Sequence, residues 1–288
     1  MMGNGYGGGS DVGDGESPTI RRRQLGAQLR EVRRARKLTG EQVAEELEWD
    51  KTKVYRIESG KQGIRPKELR ELLDVLEVTD PDAREQYFAA AREGKRKGWW
   101  STYGPLPKVY ETYIGIETEA VEMRIWEPLV VHGLLQTESY ASAIIRGSVP
   151  GITDEEVDRQ VRLRLARQER LREVHLWLIL GESTLRLAVG GTETLREQLE
   201  HLRSIARRPQ VTLQVVPFSE GAHGGLRGAF TVLSLPDGQV TYAETLAGDI
   251  YPEGEEARAC SLVFDHLRAR ALSPDRTVAL IDETLRQL

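Results

Sequence analysis

The sequence predicts two domains of different class. The first is a mainly α, five-helix domain over residues 18–93; the second is an α+β domain over residues 108–288 with a small antiparallel sheet. Three observations carry this. The 288 residues exceed one average domain. Apolar residues between Leu25 and Leu76 recur at helical spacing. Beyond residue 173 the pattern changes: Val174 to Leu180 alternates, and Val211 to Val216 is rich in strong β-formers.

Composition narrows the functional classes. A hydrophobic content of 39% supplies ample core. One cysteine, Cys260, excludes an internal disulfide and any cysteine-rich zinc module, and fits a reducing cytoplasm. No apolar run is long enough to span a membrane. Residues 1–17, glycine-rich and acidic, are expected to be a disordered tail. The net charge of −5 is unevenly spread: residues 19–78 hold 15 Lys/Arg against 11 Asp/Glu, whereas residues 94–288 hold 23 against 27. A modestly basic module on a mildly acidic body suits a DNA binder whose second domain has another task.

The N-terminal elements follow in order. Ile20 to Lys37 reads as a helix with Leu25, Leu29 and Val32 on one stripe. Arg33, Arg34 and Arg36 near its end suit the helix dipole. Thr39 to Gln42 forms a capping box for a short second helix with Val43, Ala44 and Leu47 facing inward. Glu48-Trp49 makes the turn. Asp50 caps a third helix, Val54 and Ile57 face in, and Gly60 stops it. Pro66 opens a fourth helix, buried through Leu69, Leu72, Leu73 and Leu76, and Pro81 to Glu93 is a fifth.

With Val54 and Ile57 buried, Lys51, Thr52, Lys53, Tyr55 and Arg56 are left on an exposed side. Such a helix enters the major groove by its N-terminal residues, where Arg and Lys donate to guanine O6 and N7. Thr39 and Lys61, flanking the helix pair, complete the candidate DNA-binding set.

Residues 24–77 resemble the Cro/C1-type, or xenobiotic-response-element, helix-turn-helix family. The markers are Leu38-Thr39, Val43-Ala44, Asp50, Val54, Arg56-Ile57-Glu58 and Gly60. Two positions depart from the pattern. Gly40 replaces a phosphate-contacting glutamine, and Glu48 replaces the turn glycine, a left-handed position that costs a non-glycine residue roughly 1 kcal/mol. By the resemblance, Glu58 is a buried structural glutamate rather than a DNA contact.

A linker is expected over residues 94–107, beginning with the basic stretch Gly94 to Gly98. Val109 to Trp126 reads as one helix with Ile116, Ala120 and Met123 on a face. Further helices are expected over Thr153–Glu173, Thr194–Ala206, Glu255–Ala271 and Pro274–Leu288. Ala229–Leu235 and Val240–Leu246 flank the hairpin signal Pro236-Asp237-Gly238. The run Glu127 to Ala141, EPLVVHGLLQTESYA, resembles the signature of a large domain of unknown function in actinobacterial, antitoxin-like transcriptional regulators. The likeness extends from about Val109 to Leu272, with landmarks at Arg162–Gln168, Leu180–Ser183 and Pro217–His223; His132 stands where that pattern has proline.

Little in this second domain points to catalysis. His132, His175, His201, His223 and His266 show no metal-ligand spacing, and Gly181-Glu182-Ser183 lacks the second glycine of a nucleophile elbow. No catalytic residue, metal or cofactor is expected. Gln136, Tyr140 and His223 are the candidates for a ligand or partner contact. The reading is a cytoplasmic, bacterial, sequence-specific regulator of double-stranded operator DNA, dimeric, and controlled through its C-terminal domain by a ligand or small partner protein. The alternative is an antitoxin-like scaffold that sequesters a small partner, with DNA binding autoregulatory.

Overall fold

A computed structural model describes residues 18–95, 98–169, 174–236, 238–245, 248–252 and 254–288. The expected tail over 1–17, the hinge residues 96 and 97, the last four residues of the helix expected to end at Glu173, and Asp237 of the hairpin turn lie outside them. The chain divides into two compact units, Met1–Thr102 and Tyr103–Leu288.

Unit 1 contains helices α1 (Pro18–Ala35), α2 (Gly40–Glu46), α3 (Lys51–Glu58), α4 (Pro66–Val75) and α5 (Pro81–Glu93). Their boundaries fall on sequence-legible caps. Gln42 N–H donates to Thr39 Oγ1 (3.1 Å) and Gln42 Oε1 accepts from Thr39 N–H (2.8 Å), closing the capping box. Asp80 accepts from the Asp82 and Ala83 amides at the start of α5. Three helices end on a non-glycine residue in the left-handed region: Lys37 (φ 58°), Glu48 (φ 53°) and Glu77 (φ 52°). One core gathers Leu25, Leu29, Val43, Ala44, Val54, Ile57, Leu69, Leu72, Leu73 and Leu76. Burying an aliphatic side chain of this kind stabilises by about 1.5–3 kcal/mol.

Unit 2 holds α6 (Lys108–Glu119), β1 (Glu122–Glu127), α7 (Glu138–Ser148), α8 (Asp154–Glu169), β2 (His175–Gly181), α9 (Thr192–Ile205) and β3 (Val211–Val216). It continues with β4 (Phe230–Leu235), β5 (Gly238–Thr245), β6 (Gly248–Ile250), α10 (Gly254–Arg270) and α11 (Pro274–Gln287). The strands run in the order β3-β2-β1-β4-β5-β6. β1, β2 and β3 are parallel, while β4, β5 and β6 continue antiparallel from the other side of β1.

Two expectations are corrected here. The sheet is mixed, not small and antiparallel, and the helix expected over Val109–Trp126 ends at Glu119. The spacing of Ile116, Ala120 and Met123 mimics a helical stripe, but Glu122–Glu127 is the strand at which the sheet changes direction. Missing it hid the strand that joins the two halves of the sheet, and parallel neighbours need long crossovers. Those crossovers are α7 with α8, between β1 and β2, and α9, between β2 and β3. α10 covers the face that presents Trp126, Ile179, Phe230 and Val232, through Phe264 and Leu267. On the opposite face Tyr113 of α6 lies 4.1 Å from Tyr242 of β5, ring centre to ring centre. α7 and α8 pack on each other through Ala141, Ile145, Val157 and Val161.

Candidate nucleic-acid interface

α3 is held on its scaffold by two features. Gly26, inside α1, lies so close to the end of α3 that a Cβ there would sit 2.4 Å from Ile57 O and 2.6 Å from Glu58 O. Only glycine permits that approach. Arg33 then grips Glu58 in a fork, Nε to Oε1 at 2.6 Å and Nη2 to Oε2 at 2.8 Å, and Nη1 donates to Leu38 O at 2.7 Å. The Glu58 bond raises the Arg33 pKa further and outweighs the opposing effect of burial. Arg33, one of the basic residues of the first helix, therefore acts inside the fold, and Glu58 is structural, as the resemblance implied.

The exposed side of α3 starts with Lys51 and Thr52. Asp50 Oδ1 accepts from the Thr52 amide (2.9 Å) and hydroxyl (2.5 Å), which holds the Asp50 carboxyl below its ordinary pKa. Thr52 thus spends its hydroxyl proton on the cap. Tyr55 is 47% exposed, large for an aromatic ring, and Lys61 Nζ stands 5.5 Å from its centre. Burial lowers the Lys61 pKa. Arg56 is exposed, with Nη2 3.8 Å from Asp50 Oδ1. Thr39, in its capping box, lies at the N-terminus of α2.

Lys53 differs from the expectation that it faces out. It is half-buried, Nζ donates to Glu68 Oε1 at 3.0 Å, and the same ammonium sits 3.9 Å from the centre of the Trp49 ring. Glu68 uses its other oxygen to accept from the Arg65 amide at 3.0 Å, capping α4. Burial works against the ionised Glu68 carboxyl, but these donors outweigh it and its pKa is lowered.

A helix-turn-helix of this build is matched by a family model described as "Helix-turn-helix domain" over residues 24–86. A second, "Domain of unknown function (DUF5753)", matches residues 110–283, the larger part of the chain. The chain belongs to the DUF5753 family. Its N-terminal helix-turn-helix implies a DNA-binding regulator. No curated protein matches the chain at a significant level. Among the described residues no helix is long and apolar enough to cross a membrane.

The three ligand or partner candidates of the DUF5753 domain are placed as follows. Gln136 is buried; its Nε2 donates to Val131 O at 2.6 Å and its Oε1 accepts from Arg164 Nη1 at 2.5 Å. Tyr140 is fully buried and its hydroxyl accepts from Val131 N–H at 3.3 Å. Both brace the loop before α7. His223 stands edge-on to Trp126 with ring centres 5.4 Å apart, and its enclosed Nδ1 has no hydrogen-bond partner among the described residues. Burial and then Arg270 lower its pKa. With His266 and Arg270 it lines a cleft of about 380 Å³. His132, where the resemblance expects proline, is buried and held near pKa 3 by burial, Arg167 and Arg164, so it is neutral; Leu134 N–H donates to its Nδ1 at 3.4 Å.

Sequence reasoning passed over Arg164 and Glu127. Both lay inside quoted landmarks, Arg164 in an Arg-Leu-Arg run and Glu127 just before Pro128.

Proposed function

We propose that the chain is a sequence-specific transcriptional regulator that binds operator DNA as a homodimer, with residues 103–288 controlling that binding. One observation carries the reading. α3 is locked to α1 by Gly26 and the Arg33–Glu58 fork, yet offers Lys51, Tyr55 and Arg56 to solvent. A rigid helix with exposed cationic and aromatic arms is what major-groove readout requires. A single module of this size buries too little interface for tight binding, so two half-sites about one helical turn apart are expected. Gly40 supplies no side chain to a phosphate, which shifts anchoring onto Lys51, Lys61 and the second copy.

Footprinting of purified protein on genomic fragments tests this reading, with light scattering for the mass in solution. Paired protections one turn apart and a dimer mass are expected. Monomeric protein, or binding indifferent to sequence, would overturn it.

The antitoxin-like scaffold remains the second reading, favoured by exposed apolar side chains on the second unit. Leu129, Phe218, Leu226 and Leu262 are each more than 60% exposed. A stoichiometric small protein co-purifying with the full-length chain, lost on Leu226→Asp with Leu262→Asp, would favour the scaffold.

A further inference from the structure

α10 is held on the sheet by Phe264 and Leu267, and its far side is open to solvent. Leu262, in the middle of that side, is 61% exposed. The 3-10 turn Gly224–Arg227 packs against the same helix so closely that a Cβ on Gly224 would stand 3.1 Å from Val263. That turn adds Leu226, 67% exposed. Bare leucines on an otherwise charged helix call for a cover, and the charges around Leu262 say which one.

By the helical period, Glu255, Ala259 and Arg270 fall to one side of Leu262, and Arg258 and Asp265 fall to the other. We propose that α10 pairs antiparallel with α10 of a second copy, about a two-fold axis beside Leu262. Under that symmetry each residue faces the one about equally far beyond Leu262 on the same side. Glu255 then meets Arg270 of the second copy, Arg258 meets Asp265, and the two Leu262 side chains meet each other. Ala259 leaves room for His266. No like-charged pair arises, so the stripe is its own complement.

The helix dipole accounts for Glu255 and Glu256 in the first turn and Arg268 and Arg270 in the last. It does not account for Arg258 in the acidic half or Asp265 in the basic half, and self-pairing accounts for both. These charges are also open to a partner. Glu255 and Arg258 make no ion pair among the described residues. Asp265 has Arg268 3.7 Å away on its own helix, a long exposed pair that holds it weakly. Arg270 uses only Nη1, on Ala222 O at 2.8 Å. The surface gives the homodimer proposed above its contact, and it rests on that reading.

Sedimentation equilibrium of the full-length protein and three variants tests it. Leu262→Glu, at an exposed position, should weaken self-association at least tenfold. Glu255→Arg with Asp265→Arg makes the four facing charges all basic; Arg258→Glu with Arg270→Glu makes them all acidic. Each should be monomeric alone. An equimolar mixture of the two should recover a dimer with one chain of each, because every facing pair then has opposite charge. Circular dichroism checks that each variant is folded; where a charge variant is not, Leu262→Glu decides. A dimeric wild type with an equally dimeric Leu262→Glu, or folded charge variants that stay apart on mixing, overturns this surface and leaves the homodimer standing. A wild type that is monomeric at every concentration, or that carries a small protein in place of a second copy, overturns the homodimer and this surface with it.

Discussion

Replacing Glu127 by Gln should flatten the dependence of stability on pH between about pH 5 and pH 8. The folded carboxyl titrates near 8, against 4.5 when it is unconstrained, because burial and then Glu244 disfavour its charge. The folded chain therefore holds this proton more tightly than the unfolded chain. The contribution is fully present below the unfolded value and disappears as pH climbs toward 8. A tenfold difference in proton affinity is worth about 1.4 kcal/mol. Integrated from about pH 5 to pH 8, the two titration curves give a loss of about 3.5 kcal/mol. That is an upper bound, since Glu127 keeps part of its surface open to water. Gln has the same shape and no titration, so its stability should lack this slope. Urea unfolding of both proteins at the two pH values, followed by tryptophan fluorescence and circular dichroism, measures the difference directly. Equal pH dependence in the two proteins would refute the assignment of a protonated carboxyl at the end of β1, as would a wild type that gains stability relative to the variant as pH rises.

The remaining predictions concern unit 1. Arg56→Ala should cost about 1–3 kcal/mol of operator affinity in gel shifts and relax sequence preference, with the fold unchanged. Lys53→Ala should leave sequence preference almost intact and lower the melting temperature instead, because its ammonium serves Glu68 and Trp49; loss of specificity equal to that of Arg56→Ala would contradict that role. Glu48→Gly should stabilise by about 0.5–1 kcal/mol in denaturant titrations, since it relieves a left-handed backbone at some cost in unfolded-chain entropy. Arg33→Met should destabilise by about 3 kcal/mol, because it strands the Glu58 carboxylate in a nearly dry site.

Unit 1 was legible because its signals are local. Thr39, Asp50, Gly60, Pro66 and Pro81 each mark a helix boundary within three residues, and the apolar stripes follow from one period. Glu48 was readable as a left-handed position and is one. What the sequence hid depends on distance along the chain. Lys53 reads as an exposed cation until Glu68, fifteen residues on, is brought beside it. The Arg167–Glu117 pair spans fifty positions, and nothing near either residue distinguishes Arg167 from Arg164. β1 was hidden by coincidence: Met123 extends the spacing of the helix before it. With that strand taken for helix, one parallel crossover stayed on view, the helix Thr194–Ala206 between Val174–Leu180 and Val211–Val216, but the strand that joins the parallel half to the antiparallel half was missing.

Glu68 has one further consequence. Its two oxygens fasten the reading helix to the first turn of α4, one through Lys53 and the other through the Arg65 amide. A DNA phosphate approaching α3 would compete with Glu68 for a single ammonium, and whatever attraction it gained would loosen the junction on which the helix stands. Lys51 and Arg56 lie outside that competition. The module therefore divides its cations by allegiance: some are free to serve the nucleic acid, while Lys53 is already claimed by the protein. Added salt should weaken the first group's grip on DNA and leave the half-buried Lys53–Glu68 joint comparatively untouched.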